Sequence, residues 1–339
     1  MAYNLGCKML DTGFRTQSMK RECDLLREWN LPEEIPSGCS IHKIVGDASS
    51  RSYFRIQLPD GQRMMLMRMP EPFDPQGFPY LDNYHLFREC GVLLAEIYHM
   101  EPSRGLVFLQ DLGDATFYEI YASWNEQTRL YYYLKAIDYL RAIEHLKPVN
   151  GITFNTERFL WELNFFTKHF LCGLRQATLS EHESGRLQQL FSQLAQELAE
   201  TVRIFCHRDY HSRNLMVQNG CLYVVDFQDA RQGPTTYDLA SLCYDSYIQH
   251  PPDFIRHLER MFFTFHPEAH IERYEYPRMC LQRNLKALGT FGYQASALGR
   301  SFYLQFVGPT LQYLPLHFSK LPEYGELGDI LAKHLPELT

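Results

Sequence analysis

The segment from Phe205 to Asp229 constrains this chain more than any other stretch. Four residues separate Asp209 from Asn214, and Asp226 follows 12 positions after Asn214. Between the last two lie two short apolar runs, Leu215-Met216-Val217 and Cys221-Leu222-Tyr223-Val224-Val225. They flank Asn219-Gly220, a strong signal for a tight β-hairpin because both residues tolerate positive φ. A hairpin returns the chain to its starting point, so Asn214 and Asp226 are expected side by side. Chance register of three polar residues would not come with this bracketing. A second reading makes His207 and His211 a metal pair at i, i+4. Arg208 and Arg213 flank that pair and repel a cation, and no His-Glu-x-x-His is present. His207 is expected to pack beneath the loop.

The spacing resembles the His-Arg-Asp-x-x-x-x-Asn catalytic loop of kinases, and the residue types suit phosphoryl transfer. A carboxylate can orient an attacking hydroxyl and accept its proton, a task that falls to Asp209. Mg²⁺ takes hard oxygen ligands, which Asn214 and Asp226 can supply. Around this segment the chain divides in two. Strand patterns run from Ile41 to Pro70, with Ser52–Leu58 and Arg63–Met69 joined by the turn Pro59-Asp60-Gly61. A helix is expected over Leu81–Glu89 and a last strand over Leu106–Gln110. Beyond them, helical stretches cover 126–146, 155–170, 181–201, 251–263 and 276–300. The 339 residues thus read as an α+β protein in two lobes, like the protein kinases. An N-terminal extension covers 1–18, a small β-rich nucleotide lobe 19–110, and a large helical lobe 111–339. The hinge falls near Gln110-Asp111-Leu112, where Gln110 and Leu112 are expected against adenine.

Protein kinases carry Lys two positions after the catalytic Asp, and this chain has His211 there. Asp-x-His-x-x-x-Asn resembles instead the aminoglycoside phosphotransferase and choline kinase branch. Within it, Gly46-Asp47-Ala48-Ser49-Ser50-Arg51-Ser52-Tyr53-Phe54-Arg55 resembles the opening of bacterial anomeric (1-)kinases of N-acetylmuramate and N-acetylglucosamine. Trp161-Glu162-Leu163-Asn164, Phe227-Gln228-Asp229-Ala230 and Gln282-Arg283-Asn284-Leu285-Lys286 are similar to that family too. The resemblance implies ATP and Mg²⁺ as cofactors and a small-molecule sugar as acceptor, in cell-wall sugar recycling. It implies a phosphate-covering role for Ser49, Ser50 and Arg51, and acceptor contacts from Glu162, His211, Asp229 and Arg283. The third strand has no Lys to pair with phosphates; Arg63 and Arg68 are what it offers, and Arg68 is assigned to the nucleotide. Asp82 or Glu89 is the candidate helix acid. Asp238 is read as a helix cap that braces the catalytic loop. Arg283 and Lys286 share one helix face at i, i+3. The alternatives are a kinase of another small alcohol (aminoglycoside, choline or homoserine) or a catalytically silent nucleotide-binding regulatory module.

Composition narrows the partners. The net charge is −7, which disfavours a general nucleic-acid binder. No apolar run approaches the ~18 residues of a membrane span. The nine cysteines form no Cys-x-x-Cys pair and read as reduced thiols, so a cytoplasmic location is expected.

Overall fold

The computed structural model describes residues 38–44, 51–149, 151–268 and 271–338. The expectations placed on residues 1–18, on the helix following Met19, and on Ser49 and Ser50 lie outside them. The first strands form an antiparallel sheet: β1 (Ser40–Ile44), β2 (Ser52–Gln57), β3 (Arg63–Arg68), β4 (Ile97–Glu101) and β5 (Leu106–Gln110), in the order β1-β2-β3-β5-β4. Pro59-Asp60-Gly61 makes the β2–β3 turn. Gly61 takes φ 85°, and Asp60 Oδ1 accepts the Gln62 amide at 2.8 Å. The period of two along β3 divides its methionines and leucine between faces. Met64 and Leu66 join Ile56, Leu106 and Phe108 in a small separate cluster, whereas Met67, Val107 and Leu109 belong to the main core.

The helix Pro79–Glu89 starts on a proline and is tied to the large lobe through Asn83. Its Nδ2 donates to the carbonyls of Phe227 and Gln228 at 3.1 and 3.0 Å. Where β5 ends, Arg55 reaches across from β2 to Asp111 (Nε–Oδ2 2.8 Å) and Asp114 (Nη2–Oδ1 2.9 Å). The Gln110 amide donates to Gln218, and the Gln218 amide donates to the Asp111 carbonyl, both at 2.8 Å. The connection between lobes is thereby held against the hairpin.

The remainder is mostly helical, with long helices Glu126–Ile143, Thr156–Phe166, Glu181–Ala199, Pro252–Phe263 and Tyr276–Gly292. These match the periodic segments in place, although two of them end early as α-helix. Thr167–Leu174 and Tyr293–Ala297 continue as π-helix. Glu181–Ala199 is opened by a capping box, Ser180 with Glu183. Two two-stranded pairs lie among the helices: β6 (Arg203–Cys206) with β9 (Arg231–Pro234), and β7 (Leu215–Gln218) with β8 (Cys221–Val224). Asn219 and Gly220 turn the β7–β8 hairpin with φ 52° and 75°.

The Tyr276–Gly292 helix lies unusually close to Thr156–Phe166 and its continuation. A Cβ on Gly289 would stand 2.8 Å from Phe166 Cα, and one on Gly292 would stand 2.4 Å from the His169 carbonyl oxygen. Only glycine permits that approach. Cys39, Cys90, Cys172, Cys206, Cys243 and Cys280 are free thiols. No helix among the described residues is long and apolar enough to cross a membrane.

Candidate active site

β6 delivers the chain into the loop His207–Asn214, and β9 pairs back on β6, so the loop and its hairpin form one closed module. Asp238 organises the entrance. Its carboxylate accepts the amides of His207 (2.6 Å) and Arg208 (2.9 Å) from the first turn of the Tyr237–Cys243 helix. It braces the loop as read from sequence but does not cap the helix, whose N-cap is Thr236. Arg208 holds φ 85°, a region costly for a side chain with Cβ, and Asp238 helps to fix it there. His207 is fully buried. Its Nε2 meets the Val225 carbonyl at 2.9 Å and its Nδ1 accepts the Asp209 amide at 3.3 Å. That tautomer commits both ring nitrogens to the loop, so the metal-pair reading falls. Among the described residues no group of three or more His, Cys, Asp or Glu could hold a metal ion.

The other end of the module places the remaining pair. The Val225 amide donates to the Asn214 carbonyl at 3.0 Å, which sets Asn214 beside Asp226. The Asn214 Nδ2 donates to the Asp209 carbonyl at 2.8 Å, so its Oδ1 is the atom left for a cation. Asp226 sits in the left-handed region, φ 63°, ψ 36°, and its Oδ1 accepts the Gln228 amide at 2.8 Å. A carboxylate and a carboxamide oxygen are the hard donors a divalent ion such as Mg²⁺ takes, with phosphate oxygens and water completing the shell.

Asp209 has a different environment. Lys286 Nζ donates to its Oδ1 at 2.7 Å, and Arg283 Nη2 lies 3.5 Å from the same oxygen. Burial pushes the Asp209 carboxyl up, but Lys286, Arg208 and Arg283 together hold it well below the usual carboxylate range. Behind it the charges interlock. Glu162, buried at 1% exposure, accepts Gln282 Nε2 at 2.8 Å and Arg158 Nε at 3.3 Å, and pairs with Arg208 at 3.6 Å. Burial raises the Glu162 carboxyl, yet Lys286 and the arginines bring it below its ordinary value. Arg208 also meets Asp229 at 3.4 Å, as does Arg231. Burial drives His211 down to about 3, so its ring is neutral at pH 7.

All of this opens on one cleft of about 880 Å³ between the five-stranded sheet and the large lobe. Its upper part is apolar, lined by Ile44, Met65, Ala95, Leu109, Leu112 and Met216. Its lower part carries aromatic walls: Trp161 stacks on Phe165 at 5.0 Å, Phe165 meets Tyr293, and Tyr247 and Tyr303 also line the cleft. Asp209, Asn214 and Asp226 lie at the junction. Of the residues assigned from sequence, Arg51, Gln110, Leu112, Glu162, His211 and Asp229 also line this cleft.

One assignment needs correction. Arg68 does not line the cleft: alternation along β3 gives that place to Met65 and leaves Arg68 exposed at the end of the strand, paired with Leu106 rather than the hinge. Arg283 lines an adjoining pocket of about 80 Å³ that shares Asp209, His211, Tyr247, Lys286 and Thr290 with the cleft, and its Nη1 is on the Tyr237 hydroxyl at 3.0 Å. It reaches the site through Asp209. Lys286, which the sequence reading joined to Arg283 as a pair for the sugar or phosphate end, lines the cleft. Its signal was present in the shared helix face with Arg283, but only packing reveals which member of the pair enters the cleft.

The sequence profile of the phosphotransferase enzyme family (APH) matches residues 40–275. An N-acetylmuramate/N-acetylglucosamine kinase of Pseudomonas putida is 28% identical, over 91% of this chain and 92% of the relative. Its counterpart in Neisseria meningitidis is 30% identical, over 85% of this chain and 88% of the relative. Among solved structures, a choline/ethanolamine kinase family protein from Mesorhizobium loti has the same fold with a TM-score of 0.57 at 14% identity, covering 95% and 98% of the two chains. An ADP-bound aminoglycoside phosphotransferase superposes with a TM-score of 0.55 at 13% identity, covering 89% and 97%.

Proposed function

The chain belongs to the phosphotransferase enzyme family, and from that membership we propose that it transfers the γ-phosphoryl group of ATP to the anomeric hydroxyl of N-acetylmuramate or N-acetylglucosamine. The observation that carries this reading is the junction itself. A depressed carboxylate, Asp209, stands next to a carboxamide–carboxylate pair, Asn214 and Asp226, where an apolar slot meets an aromatic one. The apolar slot suits adenine against the hinge at Gln110 and Leu112, with the lobe boundary at 110/111. Arg51 lines the same cleft and suits the phosphates. Mg²⁺, held by Asn214 Oδ1 and Asp226, would neutralise charge on the β- and γ-phosphates.

Asp209 orients the acceptor hydroxyl and accepts its proton. Its cations make it a weak base, and an anomeric hydroxyl is more acidic than an ordinary alcohol. The match supports a sugar 1-phosphate as product. Trp161, Phe165 and Tyr293 offer flat apolar surface to a sugar ring, and Asp229 and His211 offer polar atoms. A quaternary ammonium such as choline would meet Arg158, Arg208, Arg213 and Lys286 in the same space, which disfavours it. The names of the two bacterial relatives support the acceptor class. The reaction is assigned to the cytoplasm, where ATP is held.

The deciding experiment supplies ATP and Mg²⁺ with each sugar and analyses the product by ³¹P NMR. The expected signal is phosphate coupled to the anomeric proton, with 1-deoxy analogues left unconsumed. A 6-phosphate product, or turnover of aminoglycosides alone, would overturn the acceptor assignment.

A further inference from the structure

Phosphoryl transfer needs cationic groups around the oxygens that carry charge in the transition state. β3 reads Arg-Met-Met-Leu-Met-Arg, and the residue it contributes to the cleft is Met65. Of the described residues lining the cleft, the one lysine is Lys286, which comes from the other side, on the Tyr276–Gly292 helix. Its ammonium is on Asp209 Oδ1 at 2.7 Å. An acceptor hydroxyl that surrenders its proton to Asp209 must touch that same carboxylate. A cation seated there is therefore a neighbour of the attacking oxygen and of the phosphorus it attacks.

The arginines nearby are less available. Arg208 is shared between Glu162 and Asp229, and Arg283 is held on the Tyr237 hydroxyl, farther from Asp209 than Lys286 is. Lys286 carries three donors on a single nitrogen, so it can hold Asp209 and a further oxygen at once. We propose that Lys286 is a catalytic residue of the transfer, its ammonium bridging Asp209 and an equatorial oxygen of the phosphoryl group in flight. This rests on the phosphotransferase reading above. As the acceptor oxygen bonds to the γ-phosphorus, the bond from that phosphorus to the β,γ-bridging oxygen breaks. The bridging electron pair leaves with ADP, and the acceptor proton passes to Asp209. Lys286 keeps its own proton throughout and meets the charge on the phosphoryl oxygens. Burial and the charge of Arg283 lower Lys286 to about 8, which leaves it mostly protonated at neutral pH.

The test measures binding of ADP with and without aluminium fluoride, a mimic of the phosphoryl group in flight, with Mg²⁺ and acceptor sugar present. Lys286→Met keeps ADP affinity within about twofold, weakens the mimic about 100-fold and lowers kcat by a similar factor. Lys286→Arg recovers part of both, and Lys286→Gln serves if the methionine variant folds poorly. The decisive arm repeats Lys286→Met on an Asp209→Asn background. A further loss of tenfold or more in mimic affinity supports direct contact with the phosphoryl group. No further loss means that Lys286 merely positions Asp209, which overturns the proposal. A wild-type protein that binds ADP but never the mimic, with any acceptor, overturns the kinase reading itself.

Discussion

The two ends of the β7–β8 hairpin each present an aspartate to the cleft, and their surroundings differ. Asp209 meets the protein's own cations, with Lys286 at 2.7 Å and Arg283 at 3.5 Å. Asp226 reaches the cleft from a left-handed backbone position with the neutral Gln228 amide on one oxygen. On the proposed reading, the carboxylate that would accept a proton has internal counter-charge, and the carboxylate that would take an external cation has none from these two groups. Glu275 supplies a third case. It is 4% exposed, takes the Thr236 amide and hydroxyl at 2.9 Å each, and burial lifts it to about 7. Buried away from a cation, a carboxyl holds its proton to higher pH instead.

Substitutions can break this contrast. The largest effect is expected from Asp226→Ala: turnover falls by more than about 10³-fold and the Mg²⁺ dependence of nucleotide binding disappears. A Mg²⁺ titration matching wild type would remove Asp226 from the cation. Asp209→Asn comes next, with turnover down about 10²-fold and metal-dependent nucleotide binding intact. If this variant instead lost Mg²⁺ dependence, the two roles would be exchanged. Glu162→Gln removes the counter-charge of Arg158 and Arg208 without touching the hairpin. It should lower kcat/KM for the sugar about tenfold and leave the KM for ATP unchanged; an effect confined to ATP would sever Glu162 from the acceptor end.

The smallest effect sharpens the third case. Because the folded-state value for Glu275 lies above its ordinary one, its contribution is full below pH 4.5 and is lost as pH rises through about 7. Glu275→Gln keeps the acceptor oxygen and never ionises. Its Tm should equal that of wild type at pH 4.5 and exceed it by about 2–4 °C at pH 8, as read by calorimetry. A difference that stays constant with pH would show that Glu275 does not titrate across folding.

The meeting of Asp209, Asn214 and Asp226 was legible in the sequence because they belong to one local module whose turn residues announce it. Long-range packing was not. Lys286 lies 77 residues from Asp209, and their contact depends on the close helix approach at Gly289 and Gly292. The i, i+3 spacing of Arg283 and Lys286 shows a shared face but not which one the neighbouring helix covers. Arg68 was misplaced because charge was weighed ahead of strand alternation, which points Met65 into the cleft. β6 and β9, four residues each, pair across 24 intervening residues and carry no hairpin signal. Trp161, exposed at 52% on a helix whose other face is core, entered the sequence reading only through the family resemblance and sits on the cleft wall.

The two hydrogen bonds from Asn83 also limit how the molecule can move. The five-stranded sheet joins the large lobe covalently near Asp111, so a hinge motion about that connection is the natural way for the cleft to open, on the microsecond-to-millisecond scale of lobe movements. Asn83 belongs to the helix Pro79–Glu89, whose Tyr80, Tyr84 and Phe87 rings pack on Phe227, and its amide grips the carbonyls of Phe227 and Gln228, the residues directly after Asp226. A swing of the sheet therefore leaves this helix with the segment it grips, and the chain between β3 and the helix takes up the motion. The cleft can change breadth while the Asp226 carboxylate keeps its orientation, with a side-chain amide as the anchor.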